Sequence, residues 1–291
     1  MDELDGLAAA FEVNRPHLHA VAYRMLGSAS EADDAVQEAW LHLARSGADG
    51  VQNLGGWLTT AVARVCLDML RARKSRREES LDAQPGDAAG QDRDPESEAL
   101  LADSVGLAML IVLDTLAPAE RVAFVLHDMF DLPFGQIAGI TGRSPAAARQ
   151  LASRARRRVR GTPAVPGGRL ARQREVVEAF LAAARSGDFD ALLAVLDPDV
   201  ELRADEAAAP PGVPRQLAGA AAVSRQARTY SSRAPFGRLV LIDGAAGLAL
   251  ARRGRLWMAL RLTVADGKIT GIDVVADPDR LSRLTLALLA D

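Results

Sequence analysis

Apolar residues recur at three- and four-residue spacing through most of the first 160 positions, the mark of helices that bury one face. Residues from about 7 to 79 predict three such helices, and a second helical block runs from about Glu98 to Arg160. The stretch between them, SLDAQPGDAAGQDRDPESE, reads as a linker from its proline, glycine and acid content. GTPAVPGGR marks another boundary, and after Arg169 the grammar changes. Two helical stretches, LARQREVVEAFLAAARSG and FDALLAVL, lead into β-like runs at Val200–Arg203, Arg238–Ile242, Leu248–Ala251, Leu256–Val264 and Ile269–Val275. The turn signals DGAAG and ADGK separate pairs of these runs, as in antiparallel hairpins. The expectation is a multidomain chain: two all-α domains at 1–79 and 98–161, joined by an acidic linker at 80–97, then a connector at 162–168 and an α+β domain at 169–291.

In the second block, LPFGQIAGITGRSPAAARQLASRARRRV has the form of a helix-turn-helix. Pro133–Ile140 supplies the first helix, TGR the turn, Ser144 an N-cap and Pro145 the first position of the next helix. At 100° per residue Ala148, Leu151, Ala152, Ala155 and Val159 fall on one stripe, and Arg149, Gln150, Ser153 and Arg157 on the opposite face. Arginine and glutamine match guanine and adenine edges in the major groove, and the run from Arg154 to Arg160 suits phosphates. A solvated charged face is the bland alternative.

The first block carries two further faces. In SASEADDAVQEAWLHLAR, Ser30 caps a helix with Asp33 at the capping-box position. Ala32, Val36, Ala39, Trp40 and Leu43 form its core stripe, while Asp34, Gln37, Glu38 and Leu41 make an acidic surface with an apolar residue in it. That surface suits a protein partner, since DNA would repel it. The next helix buries Leu58, Val62, Val65, Cys66 and Met69 and turns Trp57, Arg64, Asp68 and Arg71 outward. An indole beside guanidinium groups stacks unpaired bases and holds their phosphates. Trp57 serves equally as a boundary residue on spacing alone.

Composition adds a bound to this picture. The 291 residues are 49% hydrophobic and 25% charged, as a globular chain is, and the net charge of −3 does not by itself suggest a nucleic-acid partner. The distribution does. Six basic residues (Arg64, Arg71, Arg73, Lys74, Arg76 and Arg77) lie in one cluster, and seven lie between Arg143 and Arg160 with no acid among them. The lone cysteine, Cys66, excludes an internal disulfide and a thiolate zinc cluster; no metal or cofactor is expected. An acidic N-terminus and the lack of a long apolar run point to the cytoplasm, with no membrane partner.

Together these motifs resemble the extracytoplasmic-function RNA polymerase sigma factors. The Asp-Asp-Ala-Val-Gln-Glu-Ala run at Asp33–Ala39 is similar to the family's polymerase-binding helix, Trp57–Arg77 to its minus-ten recognition and melting segment, and Leu132–Arg160 to its minus-thirty-five reader. Val62–Asp68 and Arg143–Arg154 bring the likeness to the SigJ-type members, whose tail is SnoaL-like, a curved antiparallel sheet wrapped by helices around a pocket. The resemblance implies core RNA polymerase and promoter DNA as partners, a tail that regulates in cis and takes a small-molecule ligand, and no activity as an enzyme; it leaves an anti-sigma protein unknown. Arg64 stands where many members have asparagine, so base capture there uses stacking or charge. Asp277, Pro278, Asp279, Arg280 and Leu281 are similar to a short motif in related fusions and are the candidate regulatory contact, with helix capping as the structural alternative. Two other functions stay open: a helix-turn-helix regulator with a ligand-binding tail, and a sigma factor whose tail is an isomerase or cyclase. The four histidines all precede residue 130, so a tail base would have to be Asp190, Asp205 or Glu206.

Overall fold

The computed structural model describes residues 2–47, 51–79, 106–209, 211–252 and 254–289, apart from the side chains of 2–5 and 77–79. Three helices come first: α1 at Asp2–Leu26, α2 at Ala29–Ser46 and α3 at Leu54–Glu79. Each contacts the other two, over a core that includes Leu18, Met25, Leu43, Leu58 and Leu67. The cap of α2 is a correction to the sequence reading. Gly27, at φ 77°, closes α1 in the left-handed region, so the next residue is already the extended one that caps α2. Ser28 Oγ accepts from the Glu31 amide at 3.5 Å, and Ser30 sits inside the first turn, its Oγ 3.0 Å from that of Ser28.

The acidic stretch 80–97 lies outside the described residues. Beyond it come α4 at Leu107–Asp114 and α5 at Pro118–Phe124, which continues into one π turn at Val125–Met129. Two more helices follow, α6 at Phe134–Thr141 and α7 at Pro145–Arg160. Gly142, at φ 68°, ends α6 in the left-handed region. Ser144 Oγ then accepts from the Ala147 amide at 3.2 Å and caps α7, as its sequence position predicts.

The chain packs as two compact units. One holds the described residues of Met1–Gly106 with Leu116–Arg156, the other Leu107–Thr115 with Arg157–Asp291. In the first unit α3 contacts α5 and α6. In the second, the helices α8 (Gly167–Ser186), α9 (Phe189–Val195) and α10 (Ala220–Thr229) and a 3-10 turn at Ser231–Phe236 accompany a seven-stranded sheet. Its strands are β1 (Leu196–Ala204), β2 (Gln216–Ala218), β3 (Gly237–Ile242), β4 (Ala245–Arg252), β5 (Arg255–Ala265), β6 (Lys268–Val275) and β7 (Leu286–Ala287), in the order β2-β1-β6-β5-β4-β3-β7. Helix α4 contacts β3, β4 and β5.

Both expected hairpins form, and the reason is local. Asp243 and Gly244 have φ 52° and 85°, Asp266 and Gly267 φ 49° and 76°; a two-residue turn with both centres at positive φ matches the twist of the strands it joins. The pairings are antiparallel apart from β1 with β6, which is parallel. The sequence periodicity misses β2 and α10, which are short or alanine-rich. The apolar spacing of LSRLTLALL also suggests a longer final helix than the one that forms. Helix α11 covers Pro278–Arg283 only, and Leu286–Ala287 pair with β3 instead. Asp243 causes the switch, because its amide donates to the Thr285 carbonyl at 2.9 Å and its Oδ1 accepts from the Thr285 amide at 3.0 Å.

Candidate functional site

On α2 the buried stripe is Ala32, Ala35, Val36, Ala39 and Leu43, while Asp34, Gln37, Glu38 and Leu41 are exposed together. Leu41 is 48% exposed, one of few large apolar side chains so placed among the described residues. Trp40 is half-buried, its ring 5.0 Å from Phe11. The Asp34 and Glu38 carboxylates repel phosphates and Leu41 gains little from water, a surface chemistry that suits apolar and basic groups.

Helix α3 divides as its spacing predicts. Leu58, Val62 and Cys66 are buried, Val65 and Met69 half-buried, and Arg64, Asp68 and Arg71 exposed, with Trp57 half-buried at the edge. Burial pushes the Cys66 thiol up to about 12, so it stays protonated and serves as a small core residue. Arg71 Nη1 lies 3.3 Å from Asp68, and Arg64 Nη2 donates to the Gly139 carbonyl of α6 at 3.4 Å. Lys74 and Arg76 are exposed, and the side chain of Arg77 lies outside the described residues.

Arg73 does not belong with them. It is 7% exposed, donates to the Leu26 carbonyl at 3.3 Å and pairs with Glu31. Its charge ties α3 to the end of α1 and the start of α2, so the guanidinium is not presented to DNA. The periodic stripe that buries Leu58 and Val62 also passes through position 73, and the basic run hides this.

On α7, Ala148, Leu151, Ala152, Ala155 and Val159 are buried and Ser144, Arg149, Gln150, Ser153, Arg154 and Arg157 exposed. Two bases of this helix are held by carboxylates of the preceding segment, Arg154 by Glu120 at 2.9 Å and Arg156 by Asp128 at 2.7 Å. The hydrogen bond to Asp128 raises the Arg156 ionisation further. Arg149 is aimed by a contact that the spacing does not reveal. Its guanidinium carbon lies 5.3 Å from the centroid of Phe134, whose ring in turn lies 4.0 Å from His127.

The tail presents a different chemistry. Asp277 caps α11 with Pro278 at its first position, accepting from the Arg280 amide at 2.9 Å. Arg280 pairs with Asp205 at 3.3 Å and Asp273 at 3.2 Å, so it belongs to the domain's own framework. Asp279 and Pro278 are exposed and Leu281 half-buried. Asp205 also accepts from the amides of Ala208, Ala276 and Asp277. A cavity of about 120 Å³ opens between α8, α10 and the sheet, and Asp190, Asp205 and Glu206 do not line it. Its polar lining consists of Gln226, Tyr230 and Arg233.

Comparison with known proteins gives the family of the chain. The family described as Sigma-70 region 2 matches residues 10–76, and Sigma-70, region 4 matches 108–159. The chain is 38% identical to "Probable ECF RNA polymerase sigma factor SigI" of Mycobacterium tuberculosis (strain CDC 1551 / Oshkosh), over 99% of each protein. It is also 38% identical to "ECF RNA polymerase sigma factor SigJ" of Mycobacterium tuberculosis (strain ATCC 25618 / H37Rv), covering 94% of this chain and 92% of that one. The crystal structure of the Mycobacterium tuberculosis extracytoplasmic function sigma factor SigJ matches at 34% identity over 94% of this chain and 98% of its own, with a TM-score of 0.47.

Proposed function

Since this chain belongs to the extracytoplasmic-function RNA polymerase sigma factors, we propose that its own tail governs, in cis, the work that defines that family. The protein binds core RNA polymerase and directs initiation at selected promoters. In our reading the α2 face of Asp34, Gln37, Glu38 and Leu41 docks on the polymerase. Trp57, Arg64 and Arg71 receive the melted strand, with Lys74 and Arg76 on its phosphates. Arg149, Gln150 and Ser153 read the upstream duplex, Arg157 adding a phosphate contact. The tail acts as a ligand-sensing regulator in place of an enzyme, because Asp205 is committed to backbone amides and Arg280 and neither it nor Asp190 or Glu206 lines the cavity.

One observation carries the cis reading. Helix α4, inside the segment that matches region 4, shares a compact unit with the tail and contacts β3, β4 and β5. The end of α7 is held there too, with the Leu288 amide donating to the Val159 carbonyl at 2.8 Å. A change in the tail therefore reaches the start of region 4 and the last turn of the reader helix through packed contacts.

Gly161 tests this. A Cβ there would come within 2.4 Å of the Ala287 Cβ, and its φ of +62° adds backbone strain. Gly161→Ala should unseat the connector and change promoter-specific transcription per folded molecule by severalfold. The readouts are purified multi-round transcription beside a thermal melt. A variant that melts lower yet transcribes like the parent would rule out cis control through this seat.

A further inference from the structure

The cavity in the tail is used by neither the polymerase face nor the DNA faces. Its wall is hydrocarbon, including Phe180, Leu181, Leu250, Met258, Leu260 and Ile272, and among the described residues no carboxylate or imidazole lines it. A site so built holds an apolar body.

One charged group faces this wall. Arg233, half-buried on the 3-10 turn, lies with its guanidinium carbon 4.4 Å from the Tyr230 ring centroid and 5.5 Å from that of Trp257. Among the described residues its guanidinium makes no hydrogen bond or ion pair, so the two rings hold a planar fork of donors with nothing to receive them. Two more arginines hold the neighbouring backbone. Arg185 donates to the Gly237 carbonyl at the start of β3 at 2.8 Å, and Arg238 to the Pro235 carbonyl on the turn that carries Arg233 at 2.6 Å. Burial and the neighbouring charge of Arg185 hold Arg238 below its ordinary value. Such a place repels a cation and leaves a neutral guest's polar end poorly matched. A carboxylate meets the fork with two parallel charge-assisted bonds.

We propose that the tail cavity binds an apolar carboxylic acid, its hydrocarbon body between α8 and the sheet and its carboxylate on Arg233, with Gln226 and Tyr230 as the neighbouring polar groups. This names the ligand class for the sensing tail proposed above and rests on that reading for its biological consequence, while the binding itself is independent of it.

Calorimetric titration of the full chain with decanoate, decanol and decylammonium tests the site. Decanoate should bind at least about tenfold more tightly than decanol, with decylammonium weakest, a charge-assisted pair being worth more than that ratio requires. Arg233→Gln should bring decanoate to within about threefold of decanol without lowering the thermal melt, and Arg233→Lys should restore part of the preference. Ala184→Phe, which fills the cavity, should remove both ligands. Equal affinity for acid and alcohol, a preference untouched by Arg233→Gln, or no binding of any of the three would overturn the proposal. Decanoate that binds as expected but leaves transcription unchanged would uphold the site and defeat ligand sensing, whereas a failed titration leaves the Gly161 test of cis control standing.

Discussion

Arg73 and Arg71 stand two positions apart in one basic run and have opposite surroundings. Arg71 is exposed beside Asp68, whereas Arg73 is buried on Glu31 and the Leu26 carbonyl. The buried guanidinium ties α3 to the Leu26 carbonyl and to Glu31, so Arg73→Ala should lower unfolding stability by about 2–3 kcal/mol in chemical denaturation. Promoter affinity per folded molecule should hardly move. Arg71→Ala should do the reverse, and a fork-junction binding assay run beside the denaturation curve separates the two. Arg149 makes a third kind of case. Phe134 pre-aims its guanidinium, so Arg149→Ala should cost about 1–3 kcal/mol of binding and relax preference at one base pair. A panel of duplexes with single-base changes checks this, and a uniform loss across the panel would make Arg149 a phosphate contact.

The helices that show one buried face were legible because that face needs only the chain's own period. The stripes of α2 and α7 fall where 100° spacing puts them, and Asp-Gly turns close both hairpins at the expected places. Elements whose ends depend on a distant residue were not legible. The periodic leucines after Arg283 look helical until Asp243 takes the Thr285 backbone into the sheet. For α2 the legible face yields its own test. Asp34 and Glu38 are one turn apart and exposed, so reversing both to lysine should leave the helical circular dichroism intact and weaken core polymerase binding at least tenfold, an effect that shrinks as salt rises. Unchanged affinity at physiological salt would remove this face from the polymerase contact.

Taken whole, the molecule places a boundary where periodicity shows none. Helix α4 buries Leu110, Ile111, Val112 and Leu113 and packs in the unit of the tail's sheet. A chain ending at Gly161 loses β3, β4 and β5 from beneath that helix. It should melt at lower temperature than the full chain and expose apolar surface to a hydrophobic dye. A monomeric, cooperatively melting chain of that length would show that α4 does not need the tail. The order of helical blocks, the helix-turn-helix, the acidic and basic faces and the hairpins of the tail were settled by residues three, four or two positions apart, since those spacings set which side chains share a face. Tertiary structure alone decided which groups receive Arg73, the seating of α4 and the ending of α11. In each case the deciding partner is remote in sequence, such as Leu26 for Arg73 or β3 for α4, and only folding brings its carbonyl, carboxylate or ring within a few ångströms.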